Sequence, residues 1–284
     1  MPEAAGVRRT VLSGGTPLAC VDHGGTGPDL VLMHGAGMNQ GSLRHVVAHL
    51  TPHHRVVTFD FRGHGGTPGD SWTMGTAVAD LEAVVTAFEL DAPAVGGHSL
   101  GGMVAATYAL DHPECAGALN LDGHGTGRPD QYVGKDPQRV AEWIVQAHAR
   151  GQRLVDSPVL SVARFLARRL GRPRANPRAV GEITAFVQEL DLRDTYRGAR
   201  CPLLVVSATA PFTGLPARVM KDPEQMLTAY RAGIRRDLEA IGADNPLVRL
   251  VEVDATHSLI TTHPEETARV VVEFLASSRA DRSA

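Results

Sequence analysis

Gly97-His98-Ser99-Leu100-Gly101 is the stretch on which the fold turns. It follows the short apolar lead Ala94-Val95-Gly96 and precedes Met103 to Leu110, a run of Val, Ala and Leu with helical character. A G-x-S-x-G sequence between a strand and a helix marks a sharp turn that projects its serine into a cleft. Glycines on both sides let backbone segments pass closely without a Cβ clash. The helix that follows presents free N–H groups and the positive end of its dipole near the serine. Ser99 is therefore the candidate nucleophile. The competing reading is a glycine-rich turn with an exposed serine, and the strand–turn–helix context argues against it.

Working outward, short apolar runs alternate with longer helical patterns. Leu30 to Met33, Arg55 to Asp60 and Ala116 to Asp122 read as strands buried on both faces. Between them, Thr76 to Leu90 sets Val78, Leu81, Val84, Val85 and Phe88 near one helical face. This alternation predicts an α/β fold with a mostly parallel central sheet flanked by helices. Gly123 to Pro129 reads as a loop, and Val140 to about Tyr196 as helices without a strand, including Ser161 to Leu170 and Gly181 to Leu190. Strands return at Pro202 to Ser207 and Leu247 to Val253. A last amphipathic helix is expected from Pro264 to about Ala276, with a frayed tail from Ser277. The expected organisation is a core over 1–123, a helical insertion over 124–197 and a second core part over 198–284.

The 284 residues suit one large domain, or a core with an inserted piece. A formal net charge of −3 supplies no basic field, so a nucleic-acid partner is not expected. The start lacks the apolar run of a signal peptide, and no stretch approaches the roughly 20 apolar residues that span a bilayer. The scattered Cys20, Cys115 and Cys201 form no CxxC pair, which suggests neither a disulfide framework nor a zinc site. The expected location is the cytoplasm. With no HExxH and no P-loop, no metal and no cofactor are expected.

Taken together, the motif loops resemble those of the α/β-hydrolase superfamily. Leu32-Met33-His34-Gly35-Ala36-Gly37 looks like its oxyanion loop, and Asp60-Phe61-Arg62-Gly63-His64-Gly65-Gly66-Thr67 like its D-x-R-G-x-G-x-S/T loop. Gly97 to Gly102 resembles the nucleophile elbow, Cys201 to Val206 the penultimate strand, and Asp254-Ala255-Thr256-His257-Ser258 the loop that delivers a histidine. They occur in family order across nearly the whole chain. The resemblance implies an α/β-hydrolase fold with a helical cap inserted after the sixth strand.

It also implies roles. Serine needs an adjacent base, and among 13 histidines His257 is the one that follows the last strand and precedes the final helix. His34, His64 and His98 lie inside motif loops and read as structural or polar-network residues. The acid departs from the common pattern, because Ser207-Ala208-Thr209-Ala210-Pro211-Phe212-Thr213 holds no carboxylate after the penultimate strand. Asp122, at the end of the preceding strand, is the substitute; Asp254 is its main rival, and Asp222 and Glu224 are outsiders. The backbone N–H groups of Ala36 and Leu100 would form the oxyanion hole. Met38, Asn39, His124, Trp143 and Phe165 are candidates to line the substrate pocket, with ordinary packing the competing role for each. The arginines between Arg139 and Arg178 read as solvated helix faces, so no specific anion is expected.

The implied activity is cleavage of a carboxylic ester or lactone through an acyl-enzyme. Thioester hydrolysis, acyl transfer and carbon–carbon bond hydrolysis use the same groups and stay open. So does a non-catalytic small-molecule receptor. Ser99 at the nucleophile position disfavours haloalkane dehalogenation and epoxide opening, whose enzymes carry Asp there. The expected partner is a small-molecule ester or lactone, with no membrane, and the chain is expected as a monomer or homodimer.

Overall fold

In a computed structural model the protein is described over residues 6–125, 127–155, 175–210 and 223–283. The expected helix at 161–170, with Phe165, lies outside the described residues.

The chain opens with a hairpin, β1 (Val7–Ser13) and β2 (Thr16–Asp22), turned on Gly14 and Gly15, both at positive φ (50° and 80°). A two-residue turn with both central residues left-handed matches the twist of the strands it joins. The chain continues through β3 (Asp29–Met33), α1 (Arg44–Leu50), β4 (Arg55–Phe59), α2 (Met74–Ala87), β5 (Ala94–His98), α3 (Leu100–Tyr108) and β6 (Gly117–Leu121). Among the described residues, α4 (Pro137–Val155), α5 (Pro177–Glu189) and α6 (Arg193–Arg197) follow. Then come β7 (Leu203–Ala208), α7 (Pro223–Asp244), β8 (Val248–Val253), α8 (Leu259–Thr262) and α9 (Pro264–Ser283).

The eight strands form one sheet in the order β1-β2-β4-β3-β5-β6-β7-β8. The β1–β2 and β2–β4 pairs are antiparallel and all others parallel. Alternate residues of the central strands feed opposite layers, as the period of two requires. Val31, Met33, Val57 and Phe59 pack under α2, α3 and α7, whereas Leu30, Leu32 and Val56 pack against α1 and α9. Because β3, β5, β6 and β7 are covered on both faces, their sequences are mostly apolar, without the alternation of a half-exposed strand.

The helices between β6 and β7 are tied to the core by particular contacts. Helix α5 starts at Pro177 with Asn176 as its cap, earlier than the expected Gly181, because proline is tolerated in the first turn. Its Ala179 and Ile183 join the main core, and Glu182 accepts the Trp72 N–H at 2.7 Å. Val140, Trp143 and Ile144 of α4 pack with Tyr132 and with Met226 and Ala229 of α7, so the helical layer is shared with a helix beyond residue 197. The expected frayed tail is instead helical. Helix α9 runs on to Ser283, and the Ser277 and Ser278 hydroxyls donate back to the Phe274 carbonyl at 2.9 and 3.0 Å.

Candidate active site

The turn from β5 into α3 requires glycine on both sides of Ser99. A Cβ on Gly97 would lie 2.6 Å from the Met33 carbonyl oxygen and from the Gly101 backbone, and one on Gly101 would also lie 2.6 Å from that oxygen. Ser99 itself sits at φ 53°, ψ −115°, a conformation costly for any residue with a side chain. Its surroundings enforce it. The Ser99 N–H donates to the Leu121 carbonyl at 3.0 Å, and its carbonyl accepts from Gly102 and Met103 at 3.0 and 3.1 Å. Leu100 begins α3, so its N–H has no acceptor within the helix.

Asp122 leaves the end of β6, also at positive φ (57°). Asn120, fully buried, pins this turn: its Oδ1 accepts from the Gly123 N–H at 2.7 Å, and its Nδ2 donates to the Gly123 carbonyl and the Tyr196 hydroxyl, both at 2.8 Å. The Asp122 carboxylate thereby reaches across to β7, where Oδ1 accepts the Ala208 N–H at 2.8 Å. Oδ2 accepts from His257 Nδ1 at 2.7 Å. Burial alone would raise the Asp122 pKa, but the His257 hydrogen bond, the neighbouring histidine charges and the Ala208 N–H outweigh it and hold the group below its ordinary value. The carboxylate accepts, so the neutral His257 ring carries its proton on Nδ1 and its lone pair on Nε2. Asp254 is exposed and makes no side-chain hydrogen bond among the described residues.

Ser99 and His257 face one cleft of about 170 Å³, together with Gly35, Ala36, Met38, His98, Ser258, Ile260 and Thr261. Asn39 is employed elsewhere: its side chain accepts the Gly41 N–H at 2.9 Å and caps a short helical turn. Trp143 stands edge-on to Tyr132 in the α4–α7 packing. His124 lies on the far side of Asp122 in a separate crevice beside Tyr196 and Tyr230.

The motif-loop histidines build the walls. Phe61 N–H donates to His34 Nε2 at 3.1 Å while His34 Nδ1 donates to the Gly35 carbonyl at 2.8 Å, and burial presses its pKa down to about 3. Gly37 N–H donates to His64 Nε2 at 3.1 Å, and His64 Nδ1 donates to the Arg62 carbonyl at 2.9 Å. His98 Nε2 donates to the His257 carbonyl at 2.7 Å, with the two rings 4.7 Å apart. That link across the sheet, and the wall made by Ser258, Ile260 and Thr261, had no separate signal in the sequence. They depend on the path of the chain after β8.

Fold and site together define a hydrolase-type scaffold: a serine at a strained strand–helix turn, with a carboxylate-bound histidine in the same cleft. The family model of the alpha/beta hydrolase family matches residues 30–270, and the chain belongs to that family. It is 27% identical over 280 residues to a pimeloyl-[acyl-carrier protein] methyl ester esterase of Photobacterium profundum, covering 92% of this chain and 99% of that protein. It is 30% identical over 220 residues to the like-named enzyme of Vibrio cholerae, covering 70% of this chain and 81% of that one. Among solved structures, the enol-lactonase of Burkholderia xenovorans LB400 shares the fold with a TM-score of 0.64 at 22% identity, over 94% of this chain and all (100%) of that one. Among the described residues no helix is long and apolar enough to cross a membrane.

Proposed function

We propose that the protein is a serine hydrolase of carboxylic esters, with Ser99 as nucleophile, His257 as base and Asp122 as acid. The observation that carries this reading is the Asp122 carboxylate, held between the Ala208 N–H and His257 Nδ1 in place of an acid after β7. It leaves His257 in the tautomer that accepts the Ser99 proton. The relatives named as methyl ester esterases support the ester as substrate class.

His257 Nε2 takes the Ser99 proton as Oγ attacks the ester carbonyl. The oxyanion develops toward the N–H groups of Leu100 and Ala36, each such donor being worth about 3 kcal/mol in comparable sites. His257, now charged and balanced by Asp122, protonates the leaving alcohol, and the acyl group stays on Ser99. Water, deprotonated by the same ring, then releases the acid. A lactone undergoes the same steps with its leaving group tethered. No Asp, Glu, Lys or Arg lines the cleft beside Ser99 among the described residues, which suits an uncharged ester or lactone as the small-molecule partner.

The test is turnover of p-nitrophenyl acetate by wild type and Ser99→Ala. The variant is expected to fall by about 10⁶-fold, to the level of binding alone. Turnover retained by the variant would refute the assignment.

A further inference from the structure

Asp122 faces two imidazoles. His257 Nδ1 meets Oδ2 at 2.7 Å, and His124 Nε2 stands 3.7 Å from Oδ1. That His124 nitrogen is buried and makes no hydrogen bond among the described residues. The Val206 carbonyl is a second acceptor within reach of the ring. A neutral imidazole has one N–H and one lone pair, so it serves one of these acceptors and turns a lone pair on the other. Only the charged ring satisfies both. Burial opposes that charge first. Asp122 favours it, while His257 when protonated and Arg231 of α7 oppose it. Arg231 is itself tied to the Thr209 carbonyl at 2.8 Å. The crevice beyond the ring adds Asp191, Arg193 and Asp237, with Arg193 paired to Asp191 at 2.6 Å, and the phenols of Tyr196 and Tyr230.

We propose that His124 is a positioning residue for the reaction assigned above, the second imidazole on Asp122, whose charge state sets how firmly Asp122 holds His257. The proposal rests on the reading of Asp122 as the acid of the triad. With His124 neutral and its N–H on the Val206 carbonyl, Nε2 turns a lone pair toward Oδ1, so among the described residues His257 is the imidazole that donates to the carboxylate, and it keeps its full counter-charge. When His124 takes a proton from solvent on Nε2, Oδ1 gains a charged donor. The carboxylate is then shared, and His257 loses basicity. Two interacting rings must both be unprotonated for turnover, so protons enter the pair in coupled steps.

The test is the pH dependence of kcat/KM for p-nitrophenyl acetate in wild type and His124→Gln, each normalised to its own alkaline plateau, with circular dichroism confirming the fold at every pH. Glutamine offers a donor but does not titrate, and His124→Asn repeats the comparison with a shorter amide. The wild-type acid limb is expected to steepen toward a loss of about a hundredfold per pH unit, whereas the amide variants keep about tenfold. Equal limbs in wild type and variants would overturn the proposal. An NMR titration of the His257 ring reads the same coupling without turnover. Two inflections are expected in wild type and one in His124→Gln, and a single inflection in both would overturn it. This arm separates failure of the proposal from failure of the ester-hydrolase reading, which Ser99→Ala tests.

Discussion

Replacing Asp122 with asparagine removes one oxygen acceptor and changes little else in shape. The carboxylate serves two donors, the Ala208 N–H at 2.8 Å and His257 Nδ1 at 2.7 Å. An asparagine side chain has one oxygen. If that oxygen faces His257, the amide NH₂ opposes the Ala208 N–H in a buried site, which costs about 1–3 kcal/mol. The other rotamer is therefore favoured, with the oxygen on Ala208 and the NH₂ on His257 Nδ1. The imidazole must then carry its proton on Nε2, where it has no lone pair to take the Ser99 proton. The counter-charge for the imidazolium is lost as well. In a comparable triad this change lowers kcat by about 10⁴, which is about 5.4 kcal/mol at 1.36 kcal/mol per decade. The assay is kcat for p-nitrophenyl acetate at pH 8, with active enzyme counted by a fluorophosphonate probe and folding checked by circular dichroism. Asp254→Asn, at an exposed position, is the comparison and is expected to stay within about threefold of wild type, as surface substitutions usually perturb little. A folded Asp122→Asn within tenfold of wild type, or a larger loss in Asp254→Asn, would refute the tautomer reasoning.

Three further expectations concern stability. Ser99 at φ 53°, ψ −115° is strained in a way glycine is not, so Ser99→Gly should exceed Ser99→Ala in urea stability by about 1–2 kcal/mol; equal midpoints would mean that the elbow stores no strain. His34 and His98 have folded pKa values pressed to about 3 and about 4 by burial, against 6.5 unperturbed, so the unfolded chain binds more protons below that value. Stability is then complete above about pH 6.5 and falls by up to about 1.4 kcal/mol per pH unit for each ring as pH drops toward the folded pKa. His98→Gln should flatten the slope measured between pH 6 and 5 by that amount, and an unchanged slope would contradict the account. Arg62 meets the two Asp80 oxygens at 2.8 Å each and also reaches Thr16 Oγ1 at 2.6 Å and the Ser13 carbonyl at 2.9 Å. Asp80→Ala removes the counter-charge of that guanidinium, leaving it only the Thr16 and Ser13 acceptors, and should cost about 3 kcal/mol by urea unfolding, whereas a loss below about 1 kcal/mol would show that the pair holds little of the hairpin in place.

The parallel strands were legible because burial on both faces forces continuous apolar runs, as in Leu30 to Met33 and Leu203 to Val206. The β1–β2 hairpin was not, since four of the first four residues of β1 are exposed and their pattern is mostly polar. Helix α7 was missed because only one stripe of it is buried (Met226, Ala229, Ile234, Leu238 and Ile241), between charged faces. At the site, chain order brought out Ser99 and His257. Asp122 stood out because the usual place for an acid holds none, and its reach to Ala208 explains how a carboxylate from β6 serves the end of β7. What Asn39 and Trp143 touch was illegible, because a helix cap and a packing ring differ in their contacts rather than in local sequence.

The most direct test of the central claim is covalent capture at Ser99. Wild type treated with a fluorophosphonate and read by peptide mass spectrometry should carry one adduct, on the peptide that contains Ser99, with ester turnover lost in proportion to labelling. Ser99→Ala should neither label nor turn over. Labelling elsewhere with Ser99 unmodified, or ester turnover that survives Ser99→Ala, would contradict the account.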